Sequence, residues 1–298
     1  MIREIINYTK YLKESTPKIF EDGLEPSKGL HIFVELDDEG NAVNFPGTKG
    51  VDWDYYDGKD MSPFLRNIIS YEQEIKRIGT TMNKVFDKKK QIVSCSPYAI
   101  SFKKEKLDNE KLVGEGFSKI TNLLPFYFEK GSEECLDKDE KGEKRRQESI
   151  TFKNFLIKNL SRVQEIDVYE EMKKDYYLNI YYKNIELDDW KKAHNNYLKR
   201  NLFNSDKYNS KKEITEDTYG LSGFINGMNV KKPFLEHKTA SMFKGIAYRI
   251  QANDTIYLND FDILLRRKNN KVFPSPLPIF IDKNEFETTD EILSLIHI

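Results

Sequence analysis

The stretch GLHIFVELDDEGNAVNF, residues 29–45, decides whether this chain is a helical bundle or carries a sheet. His31, Phe33 and Glu35 alternate with Ile32, Val34 and Leu36, the period of two that sends successive side chains to opposite faces of a strand. DDEGN then supplies the Gly and Asn that a hairpin loop requires. An aromatic, turn-rich GVDWDYYDGKDMS (residues 50–62) follows, and strand character resumes in KKQIVSCSPYAISFKKEKL (residues 89–107). A sheet is therefore expected in the first third of the chain.

Around these strands the spacing is helical. Ile2, Ile5, Ile6, Tyr8 and Leu12 make IREIINYTKYLKES an amphipathic opening helix. SPFLRNIISYEQEIKRIGTTMNKVF (residues 62–86) reads as a helix with Ser62 as its cap and Pro63 at its first position. A further helix is expected over about 109–128. Residues 149–166 and 167–203 are long helical candidates rich in Tyr and Lys. Between the 109–128 helix and these, 131–148 is almost wholly polar and mixed in sign, which reads as an exposed charged linker or loop. The expected organisation is an α+β region over 1–130, that linker, and a helical then β-rich region over 149–292. The fold class is α+β, mixed helices and short antiparallel strands, with more helix than strand.

The composition excludes several classes. Charged residues make up 33% of the chain, yet 19 Phe and 17 Tyr supply the bulk for a core, so disorder throughout is not expected. No apolar run approaches the roughly 20 residues that span a bilayer, and the N-terminus has no signal-peptide pattern. Cys95 and Cys135 stand far apart, so neither a zinc site nor a disulfide framework is expected, and a reducing cytoplasm is. No HExxH, GxSxG, GxGxxG or GxxxxGK[ST] occurs. We therefore expect no catalytic residues, no metal, no cofactor and no enzyme. Asp52 with Asp54, Asp57 with Asp60 and Asp188 with Asp189 read as solvated turns, and a Mg²⁺-dependent phosphodiesterase built on such pairs is the lesser alternative. His31 reads as a packed, hydrogen-bonded strand residue.

Positive charge is segregated. From Asn229 to Phe273 there are nine Lys and Arg against four carboxylates (Glu236, Asp254, Asp260 and Asp262), in a chain of net charge −1. Such a local excess is the footprint of phosphate contacts, which release counterions and give sequence-independent affinity. Within GLSGFINGMNVKKPFLEHKTASMF (residues 220–243), Asn226 and Asn229 either meet base edges or close an Asx turn. Gly223 and Gly227 allow close backbone approach to a ligand. Lys231, Lys232, His237, Lys238 and Thr239 offer donors, with Lys244, Arg266 and Arg267 further on. In DDWKKAHNNYLKRNLF (residues 188–203), Lys192, Lys199 and Arg200 flank Trp190, His194 and Tyr197, a second basic candidate that reads better as a charge-laced exposed helix.

GFINGMNVKKPFLEHKTASM resembles the NGxNxKKPFLxHKT stretch of the large subunit of type I-B CRISPR Cascade complexes, the Cas-eight family of the b (Csh) subtype. The opening IREIINYTKYLKE, the later YRI and PSPLPIFI are similar to that family as well. The resemblance is strongest over 219–281. It implies a non-catalytic subunit that reads the PAM on target duplex DNA, helps unwind it, steadies the displaced strand and recruits a helicase–nuclease effector. The implied partners are the guide RNA, the target DNA, and the Cascade backbone and guide-handle-binding subunits, with no membrane. By that resemblance Asn226, Asn229, Lys231, Lys232, His237 and Lys238 are contacts to DNA or guide RNA. Two departures stand out. SKKEITEDTYG (residues 210–220) has no cysteine where many relatives carry a zinc knuckle, and the helical bundle that ends full-length relatives is missing. LSLIHI (residues 293–298) matches one reading frame of a sequencing adapter, so the chain is expected to be the N-terminal body of a longer protein, with His297 carrying no meaning. The competing reading is an unrelated RNA- or DNA-binding accessory protein.

Overall fold

A computed structural model describes residues 2–20, 24–81, 86, 88–107, 115–201, 203, 210–211, 218–220, 222 and 249–266. The chain is α+β with more helix than strand. It divides into two units, residues 25–197 and residues 1–24 with 198–298, so the first helix belongs with the last third of the chain. Among the described residues no helix is long and apolar enough to cross a membrane.

The sheet of the central unit starts from the expected strand. β1 (Gly29–Val34) pairs antiparallel with β2 (Trp53–Tyr56), and β3 (Ala99–Lys103) pairs antiparallel with β4 (Tyr177–Tyr182). The order is β2-β1-β4-β3, and the two central strands, β1 and β4, run parallel. Three expectations are corrected here. DDEGN closes a turn, but only the single bridge Leu36↔Ala42 follows it, and the strand that pairs with β1 is WDYY, eighteen residues beyond β1. The strands are not all antiparallel. YLNIYY, inside a stretch read as helical, is the central strand β4. Tyr and Ile favour strands, but the partner of a parallel strand is remote in sequence, so no local turn announces it.

Both faces of β1 are buried along its whole length, as expected of a parallel central strand covered on both sides. Gly29 opens it at φ 139°, and a Cβ there would stand 1.9 Å from the carbonyl oxygen of Tyr177, so only glycine lets the two central strands meet. On one face Phe33 meets Phe64 and Tyr71 of α2 (Pro63–Thr81) edge-on, at 5.7 and 5.1 Å between ring centroids. Trp190 of α6 (Leu187–Asn201) closes that layer against Tyr71 and Tyr181. On the other face Phe152 stacks on Tyr182 at 4.8 Å and meets Phe128 edge-on at 5.8 Å.

Phe128 and Phe152 belong to α3 (Glu115–Cys135) and α4 (Glu140–Asn159), and these two helices replace the linker expected at 131–148. The charges there lie on helix surfaces, as Lys130 with Glu133, Arg146 with Glu143 and Arg145 with Glu148, each three residues apart. Cys135, Ser149, Phe152 and Phe155 face inward at wider spacing. Asp139 caps α4 by accepting from the Gly142 N–H at 2.7 Å. The short α5 (Val168–Glu171) precedes β4, and the buried Lys104 ammonium donates to the carbonyls of Tyr169 and Glu170 and of Met172 just after it. At α2 the expected cap holds, with the Leu65 N–H donating to Ser62 Oγ at 3.1 Å.

A row of polar side chains crosses one face of the sheet in register: Asp54, His31, Asn179 and Ser101, all buried. The Ser27 carbonyl, 2.8 Å from His31 Nε2, can only accept, so Nε2 carries the proton and Nδ1 accepts from the Tyr181 hydroxyl at 3.0 Å. Burial pushes the His31 pKa down, which matches a neutral ring with both nitrogens occupied. Ser101 Oγ donates to Asn179 Oδ1 at 2.5 Å, and Glu72 accepts twice from the Ser27 N–H at 3.0 Å.

His194 is the opposite case. It is fully buried against Trp190, neither ring nitrogen has a hydrogen-bond partner, and Glu74, at 3.9 Å, is bound to Arg77 instead. Burial, with the Arg77 charge second, pushes its pKa from 6.5 down to about 3. Below about pH 6.5 the unfolded chain takes up a proton that the folded chain refuses, so stability falls progressively as pH drops toward 3. Replacing His194 by Leu should flatten that slope. Between pH 7 and 5, urea unfolding of the variant should lose about 2 kcal/mol less than the parent loses. Equal losses would show that His194 is not the responsible group.

Candidate nucleic-acid interface

The basic segment is held by the second unit. α1 (Ile2–Ser15) packs on α7 (Ala252–Arg266) through Ile5, Ile6 and Leu12 on one side and Leu258, Phe261 and Leu264 on the other. A small antiparallel sheet accompanies them, β5 (Ser210–Lys211), β6 (Thr218–Gly220) and β7 (Ile250–Gln251), in that order. Gly220 pairs with Ile250, so residues 221–249 leave and return at adjacent strands, about 5 Å apart. That connection carries the motif.

Asn226, Asn229, Lys231, Lys232, His237, Lys238, Thr239, Lys244 and Arg267 lie outside the described residues. Arg266 is the last residue of α7, and its side chain lies outside them too. β7 leads directly into α7, and Arg266 ends that helix, about 22 Å along its axis for its 15 residues.

The sequence reading missed the role of the opening helix in the charge balance. Lys10 Nζ reaches Asp254 Oδ1 at 3.1 Å, and Lys13 pairs with Asp260. Both ammonium groups also sit over the Tyr257 ring, at 5.1 and 5.4 Å from its centroid. Two of the four carboxylates in 229–273 are thus matched from outside the segment. Lys10 and Lys13 lie three residues apart, on one side of an amphipathic helix, and only that spacing hinted at a shared partner.

The second basic candidate dissolves into structure. Trp190, His194 and Tyr197 of α6 are buried in the core, and Lys192 is paired with Asp137 at 2.9 Å, so the helix offers cations to solvent but no aromatic face. The acidic pairs are also engaged locally. Asp52 accepts from Asn44 Nδ2 at 2.9 Å and the Thr48 N–H at 3.2 Å, Asp57 accepts from the Lys59 N–H at 3.0 Å, and Asp189 is held by Lys141 and Arg145. Among the described residues no group of three or more His, Cys, Asp or Glu is placed to hold a metal. No family model, no curated protein and no solved structure matches the chain.

The two lysine–aspartate pairs differ in burial, and so should their worth. The Asp260 side chain is 4% exposed and that of Asp254 26%. Lys13→Gln should therefore cost about 2 kcal/mol and Lys10→Gln under about 1 kcal/mol, measured by urea unfolding at low salt. Equal costs would remove the distinction.

Proposed function

We propose that the chain is a non-catalytic, nucleic-acid-binding large subunit of a type I-B CRISPR interference complex. In this reading the connection between β6 and β7 contacts target duplex DNA or guide RNA. It contributes to PAM reading, to unwinding and to holding the displaced strand, beside backbone and guide-handle-binding subunits, and the subunit recruits a helicase–nuclease in the cytoplasm. The observation that carries the proposal is the concentration of nine bases in 229–273, around NGMNVKKPFLEHKT, with two of the segment's carboxylates neutralised by α1. A local excess of cations is what a phosphate backbone needs, and asparagines on a Gly-containing connection add donors and acceptors for bases.

The test is duplex-DNA binding by the full chain over a salt series. Lys231→Ala combined with Lys232→Ala should weaken binding and shallow the log–log salt slope by about one unit per lost phosphate contact. An unchanged affinity and slope would refute the role assigned to these lysines. Binding that is lost on mutation, in a chain that fails to join guide-RNA-bearing subunits in reconstitution, would favour the unrelated nucleic-acid-binding reading.

A further inference from the structure

A small, open cleft lies in the central unit where the turn after α3 meets the start of α4 and the outer side of α6. Its walls carry Lys141, Arg145 and Lys192 against Asp137 and Asp189. The charges form a chain: Lys141 to Asp189 at 2.7 Å, Arg145 Nη2 to Asp189 at 2.5 Å, and Lys192 to Asp137 at 2.9 Å. The other arm of Arg145 goes to Glu148, which does not line the cleft. Arg145 is thus shared between two carboxylates, and with Glu148 the three cations meet three anions. The N-terminal end of α4 adds its own positive dipole. Gly142 in that first turn allows the chain to fold back, since a Cβ there would lie 2.2 Å from the Asp137 carbonyl oxygen.

Charge at a helix start is common on protein surfaces. The floor of this cleft is less so. Tyr98 lines it, is 1% exposed, and its hydroxyl makes no hydrogen bond among the described residues. Two other buried tyrosines of the unit are satisfied: Tyr127 meets Ser94 Oγ at 2.8 Å and Tyr181 meets His31 Nδ1 at 3.0 Å. Burial raises the Tyr98 pKa, and the Arg145 charge opposes that rise. Arg145 Nε is a second donor on the same lining, buried and without an acceptor. Two unmet donors beside three cations call for a ligand rich in acceptor oxygens.

We propose that this cleft binds a phosphate-class oxyanion, with the Tyr98 hydroxyl and the Arg145 guanidinium as donors on the floor and Lys141 and Lys192 closing on it from the rim. The rim lysines are 57% and 51% exposed, free to swing from their aspartates toward a doubly charged guest. The open rim admits the phosphate as a terminal or bridging group of a larger molecule as well as the free ion. The site stands on its own residues and does not depend on the basic segment binding DNA.

The test uses the full chain and inorganic phosphate, titrated at constant ionic strength against chloride. It follows the melting temperature and the ³¹P line width. Phosphate should raise the melting temperature by mass action and broaden the line. Tyr98→Phe keeps the ring that packs on Trp190 and removes only the hydroxyl, and should weaken the apparent affinity about tenfold. Lys192→Gln on the rim, which risks nothing in the core, should weaken it as well. A thymidine oligonucleotide distinguishes the sources. If it abolishes the phosphate response, the natural guest is a backbone phosphodiester; if it leaves the response intact, the guest is a free or terminal phosphate, and either result supports the site. No response beyond that to chloride in the parent chain, or an equal response in Tyr98→Phe, would overturn the proposal.

Discussion

Burial of both faces of the central strand pair is the constraint on which the rest of the larger unit depends. A parallel β1–β4 pair cannot be joined by a tight turn, so the chain between them must travel, and it uses that length to lay helices over the sheet. α2 and α6 cover one face, and α3 and α4 cover the other. The cost falls on the polar residues caught inside. His31, Asn179 and Ser101 are tolerable there only because each donor meets an acceptor across the strands and at Ser27, since an unpaired buried polar group costs about 1–3 kcal/mol. His194 and Tyr98 are two of the places where that rule lapses. One is sealed in the core, where it makes the fold sensitive to acid. The other opens onto a charged cleft, where an outside acceptor can complete it.

What was legible in the sequence was whatever short-range periodicity controls. The opening helix shows its apolar stripe at Ile5, Ile6 and Leu12, and α2 shows Ser62 and Pro63 in the order that starts a helix. β1 shows its alternation. The failures share a physical cause, which is that the deciding contact is distant. YLNIYY sits between lysines and helix-forming runs, and its strand character comes from β1, nearly 150 residues away. Residues 131–148 looked like a linker because their charges outnumber their apolar residues, yet helices α3 and α4 need only an inward stripe, and Cys135, Ser149 and Phe152 supply it. Polarity reports which side faces water, not whether the backbone is ordered.

The candidate interface was legible in a different sense. The clustering of bases in 229–273 is a property of composition and needs no fold to be counted. Whether those charges are available is a property of structure, and here the fold contributes something no window of sequence contains. The N-terminal helix crosses to the last third of the chain and matches Asp254 and Asp260 with Lys10 and Lys13. Two of the segment's four acids are thereby matched by residues that read, in isolation, as the polar face of an ordinary amphipathic helix.

Availability also separates the basic regions from one another. On α6 the aromatic rings of Trp190 and Tyr197 are turned into the core, so the composition that suggested a nucleic-acid surface leaves no ring to stack on bases. At the cleft the cations are paired, but the pairing is incomplete: Arg145 spends two of its nitrogens on carboxylates and keeps Nε without an acceptor. An ion pair that satisfies every donor holds structure together and offers little to a ligand. One that leaves a donor unmet, beside an unsatisfied hydroxyl and at the positive end of a helix, is organised in advance for an anion that the chain itself does not supply.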